Sequence, residues 1–208
     1  NKVLSNSKNV QKRLEKFCNT KSEVIYPPIE TNKFKWLGQS DYYISFARLD
    51  PLKRVDDVVR AFQKMPDKRL VISSGGEELE NIRKLAEGFA NISVLGWVDD
   101  EQLVNLVGNA IASIYIPIDE DAGMTQIESM SAGKPCVVVN DGGLPESVIN
   151  DKTGIIIPKN YCIEDIIAAI KKLTPDVAAS MKDDCVFRAS DFSTDVFIER
   201  IKRVVESF

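Results

Sequence analysis

Short apolar runs alternate with amphipathic stretches along most of the chain. The apolar runs have the length and the β-branched or aromatic content of strands that are buried on both faces, as in a parallel sheet. The predicted strands cover residues 23–26, 42–47, 69–73, 92–95, 110–116, 136–140 and 154–157.

The stretches between these runs carry apolar residues at three- and four-residue spacing, which is the period of an amphipathic helix. The positions concerned are Val55, Val58, Val59 and Phe62; Leu103, Leu106 and Val107; and Ile163, Ile166, Ile167, Ile170 and Leu173. Alternation of strands and helices predicts βαβ units. We therefore expect an α/β fold, a Rossmann-like parallel sheet with helices on both faces and ligands bound beyond the carboxyl ends of its strands.

The two ends of the chain differ from this pattern. Residues 3–17 are predicted to form a helix, and the chain from residue 164 onwards is almost wholly helical, with a last amphipathic helix after the Ser193 cap. We divide the chain into a linker or end of a preceding domain at 1–22, a Rossmann-like domain at 23–174 and C-terminal helices at 175–208. These helices either cross to another domain or pack on the same sheet. The chain begins with Asn rather than Met, and we expect it to be a fragment.

Composition narrows the possible chemistry. The 208 residues include 44% hydrophobic residues, which is typical of a folded domain, and 27 Lys and Arg against 31 Asp and Glu, a net charge of −4. This balance shows no electrostatic footprint for nucleic acid. The chain contains no histidine, which excludes histidine-dependent triads and metal sites within it. Catalysis would rest on carboxylates, Lys, Arg, hydroxyls, backbone amides or a partner domain.

The four cysteines, at positions 18, 136, 162 and 185, have no regular spacing. We interpret them as buried free thiols in a reducing compartment, with a disulfide framework as the less favoured alternative. There is no apolar stretch of about 20 residues that could span a bilayer. The predicted location is cytoplasmic.

Two turns at predicted strand ends carry candidate ligand-binding groups. After residues 42–47 come Arg48, Lys53 and Arg54, a combination that suits a diphosphate; the alternative is a solvated turn in which Asp50 caps the next helix. After residues 69–73, Gly75 and Gly76 allow close approach of backbone to a ligand, although a simple tight turn explains them nearly as well. They do not form a GxGxxG dinucleotide motif.

A third turn follows residues 110–116. Gly123 is predicted to begin a helix, so that the amides of Gly123, Met124 and Thr125 form an anion site. Glu120 and Glu128 flank it and suit sugar hydroxyls; the alternative is a loop charge and an exposed helix residue.

Two further features have simpler interpretations. Asp119 and Asp121 form an Asp-x-Asp pair that could hold a divalent cation, an interpretation that we do not favour beside a positive helix terminus. A fourth turn, at residues 141–146, places Glu146 near a helix start, where capping alone could explain it.

These turns, in this order, resemble motifs of the nucleotide-sugar-dependent retaining glycosyltransferases with the GT-B fold, of the group 1 or mannosyltransferase-like type. Residues 45–55 match the turn G-R-L-x-x-x-K-R-x, and Glu120 with Glu128 matches the paired-glutamate motif E-x7-E that precedes A-x-G-K-P. Shorter elements match at 95–98, 142–146 and 154–158. The chain departs from the family at Ala47, where glycine is usual, and at Asp121-Ala122, where an aromatic residue is usual.

The resemblance implies a role for each matching position. Arg48 and Lys53 would bind the donor diphosphate and stabilise charge on the leaving nucleotide, and Glu120 would bind hydroxyls of the donor sugar. The amides of Gly123, Met124 and Thr125 would hold sugar and phosphate. Glu128 would bind the ribose, and the backbone around Val98 would contact the base. No metal and no cofactor is implied.

The resemblance also implies partners. The match covers the C-terminal, donor-binding half of the GT-B architecture, with a GDP- or UDP-linked sugar as donor and mannose from GDP-mannose mildly favoured. A glycan or lipid-linked acceptor would bind through a missing N-terminal domain, and the full-length enzyme could associate peripherally with the inner membrane face in polysaccharide biosynthesis. The alternatives are a sugar-nucleotide epimerase or a phosphorylase of the same fold, and a non-catalytic α/β binding module.

Overall fold

The computed structural model describes residues 2–207 and contains one six-stranded parallel sheet flanked by helices. The strands of this sheet are β3 (Tyr42–Ser45), β4 (Arg69–Ile72), β5 (Ile92–Val94), β6 (Ser113–Tyr115), β7 (Cys136–Val139) and β8 (Gly154–Ile157). Their order across the sheet is β5-β4-β3-β6-β7-β8. The predicted fold class is confirmed.

Helices alternate with the strands along the chain, and after β8 the part of the chain that the structure describes forms only helices. They are α1 (Lys8–Cys18), α2 (Val55–Gln63), α3 (Leu79–Ala86), α4 (Asp100–Asn109), α5 (Thr125–Ser131), α6 (Ile163–Lys172), α7 (Pro175–Ser180), α8 (Lys182–Ser190) and α9 (Thr194–Glu206). The predicted cap of α9 is present, since the Ser193 side chain accepts a hydrogen bond from the amide of Val196.

Both faces of the sheet are buried, as the apolar strands require. Tyr43 of β3 belongs to the larger apolar cluster and packs against Phe62 of α2, with ring centroids 5.8 Å apart. The next residue, Ile44, belongs to a second cluster with Val107 of α4. Because successive side chains of a strand point to opposite faces, β3 separates the two cores.

The N-terminal segment differs from its prediction. A strand at 23–26 was expected in the main sheet, but β2 (Glu23–Val24) pairs in parallel with β1 (Leu4–Ser5) in a separate two-stranded sheet. The helix predicted over residues 3–17 begins later, at Lys8, because β1 precedes it and Ser7 caps it. Apolar spacing indicated these elements but did not show which strand would be the partner.

The cysteine prediction is half right. All four are free thiols, and Cys136 and Cys185 are buried. Cys18 and Cys162 are exposed, because Cys18 ends a helix that has no buried residue and Cys162 stands at the N-terminus of α6. Within residues 2–207, every helix is too short or too polar to cross a bilayer.

Candidate functional site

The order of the strands reverses between β3 and β6, and a cleft of about 500 Å³ opens beyond their carboxyl ends. Such a reversal is where ligands bind in open α/β sheets. Six of the predicted site residues line the cleft: Arg48, Lys53, Glu120, Gly123, Met124 and Thr125. Asn6 and Pro27 line it from the N-terminal segment, and neither residue belongs to a motif that the sequence analysis identified.

The floor of the cleft holds a lysine, a glutamate and a tyrosine in mutual contact. Lys53 Nζ lies 2.6 Å from Glu120 Oε2, and the Tyr115 hydroxyl donates to the same oxygen over 2.8 Å. Lys53 also lies 3.3 Å from the Tyr115 hydroxyl. The cluster therefore presents a cation beside a carboxylate, which suits a ligand with both phosphate and hydroxyl groups.

Tyr115 is a site residue that the sequence analysis missed. Burial, reinforced by the charge of Glu120, raises the pKa of Tyr115 above its usual range, so the hydroxyl remains a donor at physiological pH. Its position as the last residue of β6 was the available signal, because side chains at the carboxyl ends of parallel strands face the ligand crevice.

Arg48 stands at the rim of the cleft, with its side chain 76% exposed. Its Nε donates to Asp50 over 3.1 Å, and its terminal nitrogens have no acceptor among residues 2–207. Asp50 caps a short 3-10 helix, Pro51–Lys53, which carries Lys53 inwards. Arg54 instead donates to the carbonyls of Ile116 and Pro117, so the third cation of this turn fastens the loop after β3 to the loop after β6.

The loop that carries Glu120 is fixed by close contact with the loop after β7. A Cβ atom at Gly142 would lie 2.0 Å from the Glu120 carbonyl oxygen, and Gly142 has a φ of 58°. The next amide, of Gly143, donates to that same oxygen over 2.8 Å. Glycine is required here because a side chain would displace the Glu120 backbone.

The predicted helix after Gly123 is present as α5, which begins at Thr125. Gly123 has a φ of 70°, a left-handed conformation that turns the chain into the helix. The amides of Gly123, Met124 and Thr125 have no acceptor among the described residues and lie at the cleft. Their role in binding a ligand remains a prediction.

Four predicted site residues lie outside this cleft. Gly75 and Gly76 pack on the loop after β3: the Gly75 carbonyl accepts from the Leu49 amide, and a Cβ at Gly76 would lie 2.1 Å from the Leu49 carbonyl oxygen. Val98 lines a separate cavity of about 470 Å³ with Leu95 and Trp97.

The fourth of these residues, Glu128, is half-buried on α5, where burial raises the pKa of its carboxyl group. The structure thus gives the two glycines a packing role. Ligand contacts at all four positions remain predictions.

The carboxylates of Asp119 and Asp121 face a cation of the protein. Arg13 of α1 lies 2.9 Å from Asp121 Oδ1 and 3.6 Å from Asp119 Oδ2. Asp119 has a φ of 48°, and its amide donates to the Asp141 side chain, which is itself paired with Lys159 at 2.7 Å. These pairs hold the rim of the cleft between α1 and the loop after β7.

Glu146 was expected to cap the helix that it begins, but the structure gives it another partner. It ends a short 3-10 helix, Leu144–Glu146, and its carboxylate accepts from the amides of Lys8 and Asn9 at the start of α1. The capped helix is thus distant in sequence, which spacing along the chain could not indicate.

A doubly wound parallel sheet with a polar cleft at its reversal point defines a Rossmann-like ligand-binding domain. A family model described as Glycosyl transferases group 1 matches residues 28–185. The chain belongs to this family, as the motifs predicted.

Similar proteins agree with this assignment. Alpha-1,3/1,6-mannosyltransferase ALG2 of Dictyostelium discoideum is 27% identical, over 86% of this chain and 54% of its own length. The GDP-mannose-dependent alpha-(1-6)-phosphatidylinositol monomannoside mannosyltransferase of Mycobacterium tuberculosis is 29% identical, over 74% of this chain and 47% of its own length. The chain thus spans about half the length of these relatives.

A solved structure has the same fold over the whole chain. Anabaena Alr3699/HepE, in complex with UDP and glucose, matches with a TM-score of 0.84 at 18% identity, over 100% of this chain and 63% of its own. At this identity the likeness concerns the fold alone.

Proposed function

We propose that the chain is the donor-binding half of a nucleotide-sugar-dependent retaining glycosyltransferase, which transfers a hexose to a glycan or lipid-linked acceptor. The observation that carries this proposal is the contact between Lys53 and Glu120 at 2.6 Å in the cleft, with Arg48 exposed at the rim. A site for a sugar diphosphate needs cations for phosphate and a carboxylate for hydroxyls. Membership of the family supports the same assignment.

In this proposal each site residue binds a different part of the donor. Arg48 and Lys53 bind the diphosphate and stabilise the negative charge that grows on the leaving nucleotide. Glu120 accepts hydrogen bonds from sugar hydroxyls, and the amides of Gly123, Met124 and Thr125 bind sugar and phosphate. Glu128 binds the ribose, and the backbone of Val98 contacts the base. Gly75 and Gly76 allow close approach of backbone to the ligand and pack on the loop after β3, which carries Arg48 and Lys53. Neither a metal nor another cofactor takes part, since cations of the protein balance the phosphate charge.

GDP-mannose is the donor that we favour. Two similar proteins are named mannosyltransferases, and one of them is named as GDP-mannose-dependent. UDP stays in the test as the other nucleotide, because it is bound in a protein of the same fold. The acceptor would bind through an N-terminal domain of a longer protein, in the cytoplasm or at the inner membrane face, in a step of polysaccharide synthesis.

Titration calorimetry of this chain with GDP, UDP, GDP-mannose and UDP-glucose tests the proposal. Arg48→Ala and Lys53→Ala should each weaken nucleotide binding by about 1.5–3 kcal/mol, or about 10- to 150-fold in Kd, because each removes a charge-assisted hydrogen bond. Arg60→Ala and Lys64→Ala are matched controls, since Arg60 lies on α2 and Lys64 directly follows it, and both cations are exposed and do not line the cleft. Unchanged binding in both cleft variants would contradict the phosphate assignment.

A further inference from the structure

The Glu146 carboxylate is bonded to the segment that precedes the main sheet. Its two oxygens accept from the amides of Lys8 and Asn9, each over 2.8 Å, and from the Tyr26 hydroxyl over 2.9 Å. The first amides of a helix have no partner within the helix. Glu146 therefore supplies to α1 both missing acceptors and a negative charge at the positive end of the helix dipole.

Contacts on the other side fix the backbone of the same residue. Arg188 of α8 donates to the carbonyls of Glu146 and Ser147, over 2.5 and 2.9 Å. The guanidinium also lies 5.0 Å from the centre of the Phe192 ring, which packs edge-on against Tyr26. Glu146 is thus held from two directions, with little freedom to move apart from its neighbours.

The loop that ends at Glu146 is the one that touches the Glu120 backbone. Gly143 donates its amide to the Glu120 carbonyl over 2.8 Å, and Gly142 approaches the same oxygen too closely for any side chain. A continuous path therefore runs from the start of α1 through Glu146 and residues 142–143 to Glu120. Each link in this path is a hydrogen bond or a contact without space for a water molecule.

We propose that Glu146 is a positioning residue. It joins the N-terminus of α1 to the loop after β7, and that loop holds the Glu120 backbone in the position that binding of a donor sugar requires. This inference rests on the proposed function, because it assigns the sugar end of the ligand to Glu120. A glutamate that only capped α1 would stabilise that helix without affecting the cleft. The two roles predict different consequences for the same substitution.

The test compares Glu146→Gln with Ser7→Ala in this chain. Glu146→Gln removes the charge and one of the two acceptor oxygens. Ser7→Ala removes the side-chain cap of the same helix, which accepts from Val10 over 3.0 Å, and leaves residues 142–146 intact. Tyr26→Phe, which removes only the hydroxyl donor, is a milder second variant for use if Glu146→Gln does not fold.

Amide hydrogen exchange of the ligand-free chain is the first measurement. In Glu146→Gln the amide of Gly143 should exchange at least about tenfold faster than in wild type, together with those of Lys8 and Asn9. In Tyr26→Phe the same amides should exchange faster than in wild type, by a smaller factor. In Ser7→Ala the Val10 amide should exchange faster while that of Gly143 does not change. The proposal would be overturned if the Gly143 amide exchanged at the same rate in wild type and in Glu146→Gln. It would also be overturned if Ser7→Ala accelerated that exchange as much as Glu146→Gln does.

Ligand affinity is the second measurement. Glu146→Gln should raise the Kd for GDP-mannose or UDP-glucose about tenfold and that for the matching diphosphate less than about threefold, because Glu120 is assigned to the sugar. General loosening of the domain would weaken both ligands equally and would overturn the proposal. If the wild-type chain binds none of these nucleotides, the proposed function fails, and the Gly143 exchange result alone decides the role of Glu146.

Discussion

The Glu120 carboxylate is held by two donors on one oxygen, and this arrangement explains how the site could accept an anion. A phosphate group near Lys53 would compete with Glu120 for the ammonium group, whose side chain is only 20% exposed. The Tyr115 hydroxyl donates to the same Oε2, a bond that would hold Glu120 in place if a ligand drew Lys53 away from it. Oε1 has no partner among residues 2–207 and remains available to a hydroxyl.

Lys134 should make the free energy of unfolding depend on pH. Its side chain is fully buried; Nζ donates to the Gly38 carbonyl over 2.5 Å and lies 3.3 Å from the centre of the Trp36 ring. Burial, with a smaller contribution from Lys182, lowers the pKa of Lys134 to about 7. The pKa of a lysine in an unfolded chain is about 10.4. Between these values the unfolded chain binds more protons, so the free energy of unfolding rises with pH.

We expect this group to add about 2 kcal/mol to the free energy of unfolding between pH 7 and pH 9. In urea denaturation, the change in the free energy of unfolding from pH 7 to pH 9 should be more positive in wild type than in Lys134→Met by this amount. Lys171→Met is the control, because Lys171 is exposed on α6. An equal pH dependence in wild type and Lys134→Met would mean that the buried amine keeps an ordinary pKa.

At the scale of elements, apolar runs predicted all six strands of the main sheet, and helical spacing predicted α2, α4 and α6, but residues 23–26 were wrongly assigned to that sheet. Five of the six strands of the main sheet are shorter than predicted, and only β8 has its predicted bounds. For β3, residues 42–47 were expected, and the strand ends at Ser45. The chain leaves the sheet there because residues 46–54 turn towards the cleft, while the side chains of Phe46, Ala47 and Leu49 stay buried. The pairing of β2 with β1 could not be predicted, since two-residue strands have no period that identifies a partner.

The loop after β7 gives a prediction at this scale. Gly142→Ala should destabilise the domain more than Gly88→Ala, although both glycines have positive φ, at 58° and 83°. A methyl group at Gly88 would meet no atom within 4 Å, whereas one at Gly142 would lie 2.0 Å from the Glu120 carbonyl oxygen. The backbone conformation costs about 1–2 kcal/mol in either variant. The overlap should cost about 1–3 kcal/mol more at Gly142 alone.

Chemical denaturation of the two variants measures this difference. The affinity of each variant for the donor is a second measurement. Gly142→Ala should bind the donor more weakly than Gly88→Ala, because only the methyl group at position 142 displaces Glu120. Equal free energies of unfolding for the two variants would contradict this prediction, because they would show that the loop after β7 accommodates the methyl group at no additional cost.

At the scale of the whole molecule, the candidate site is assembled from distant segments. Arg48, Lys53 and Glu120 could be predicted because each lies in a turn at a strand end and matches a family motif. Tyr115 belongs to a buried strand, and Asn6 and Glu146 acquire their roles only when the N-terminal segment folds against the cleft. Sequence spacing carries no information about such contacts, which join residues as far apart as Asn9 and Glu146.

A site assembled in this way exists only in the folded chain, and ligand binding should therefore raise thermal stability. A ligand that binds only the folded state stabilises it by about 2.7 kcal/mol at a concentration of 100 times its Kd. For a domain of this size that corresponds to a rise of about 5–10 °C in Tm. GDP or UDP should produce this rise in differential scanning calorimetry, and the Lys53→Ala variant should lose most of it at the same concentration. The Lys64→Ala control should keep it. A rise that is equal in wild type and Lys53→Ala would mean that the nucleotide binds elsewhere on the folded chain.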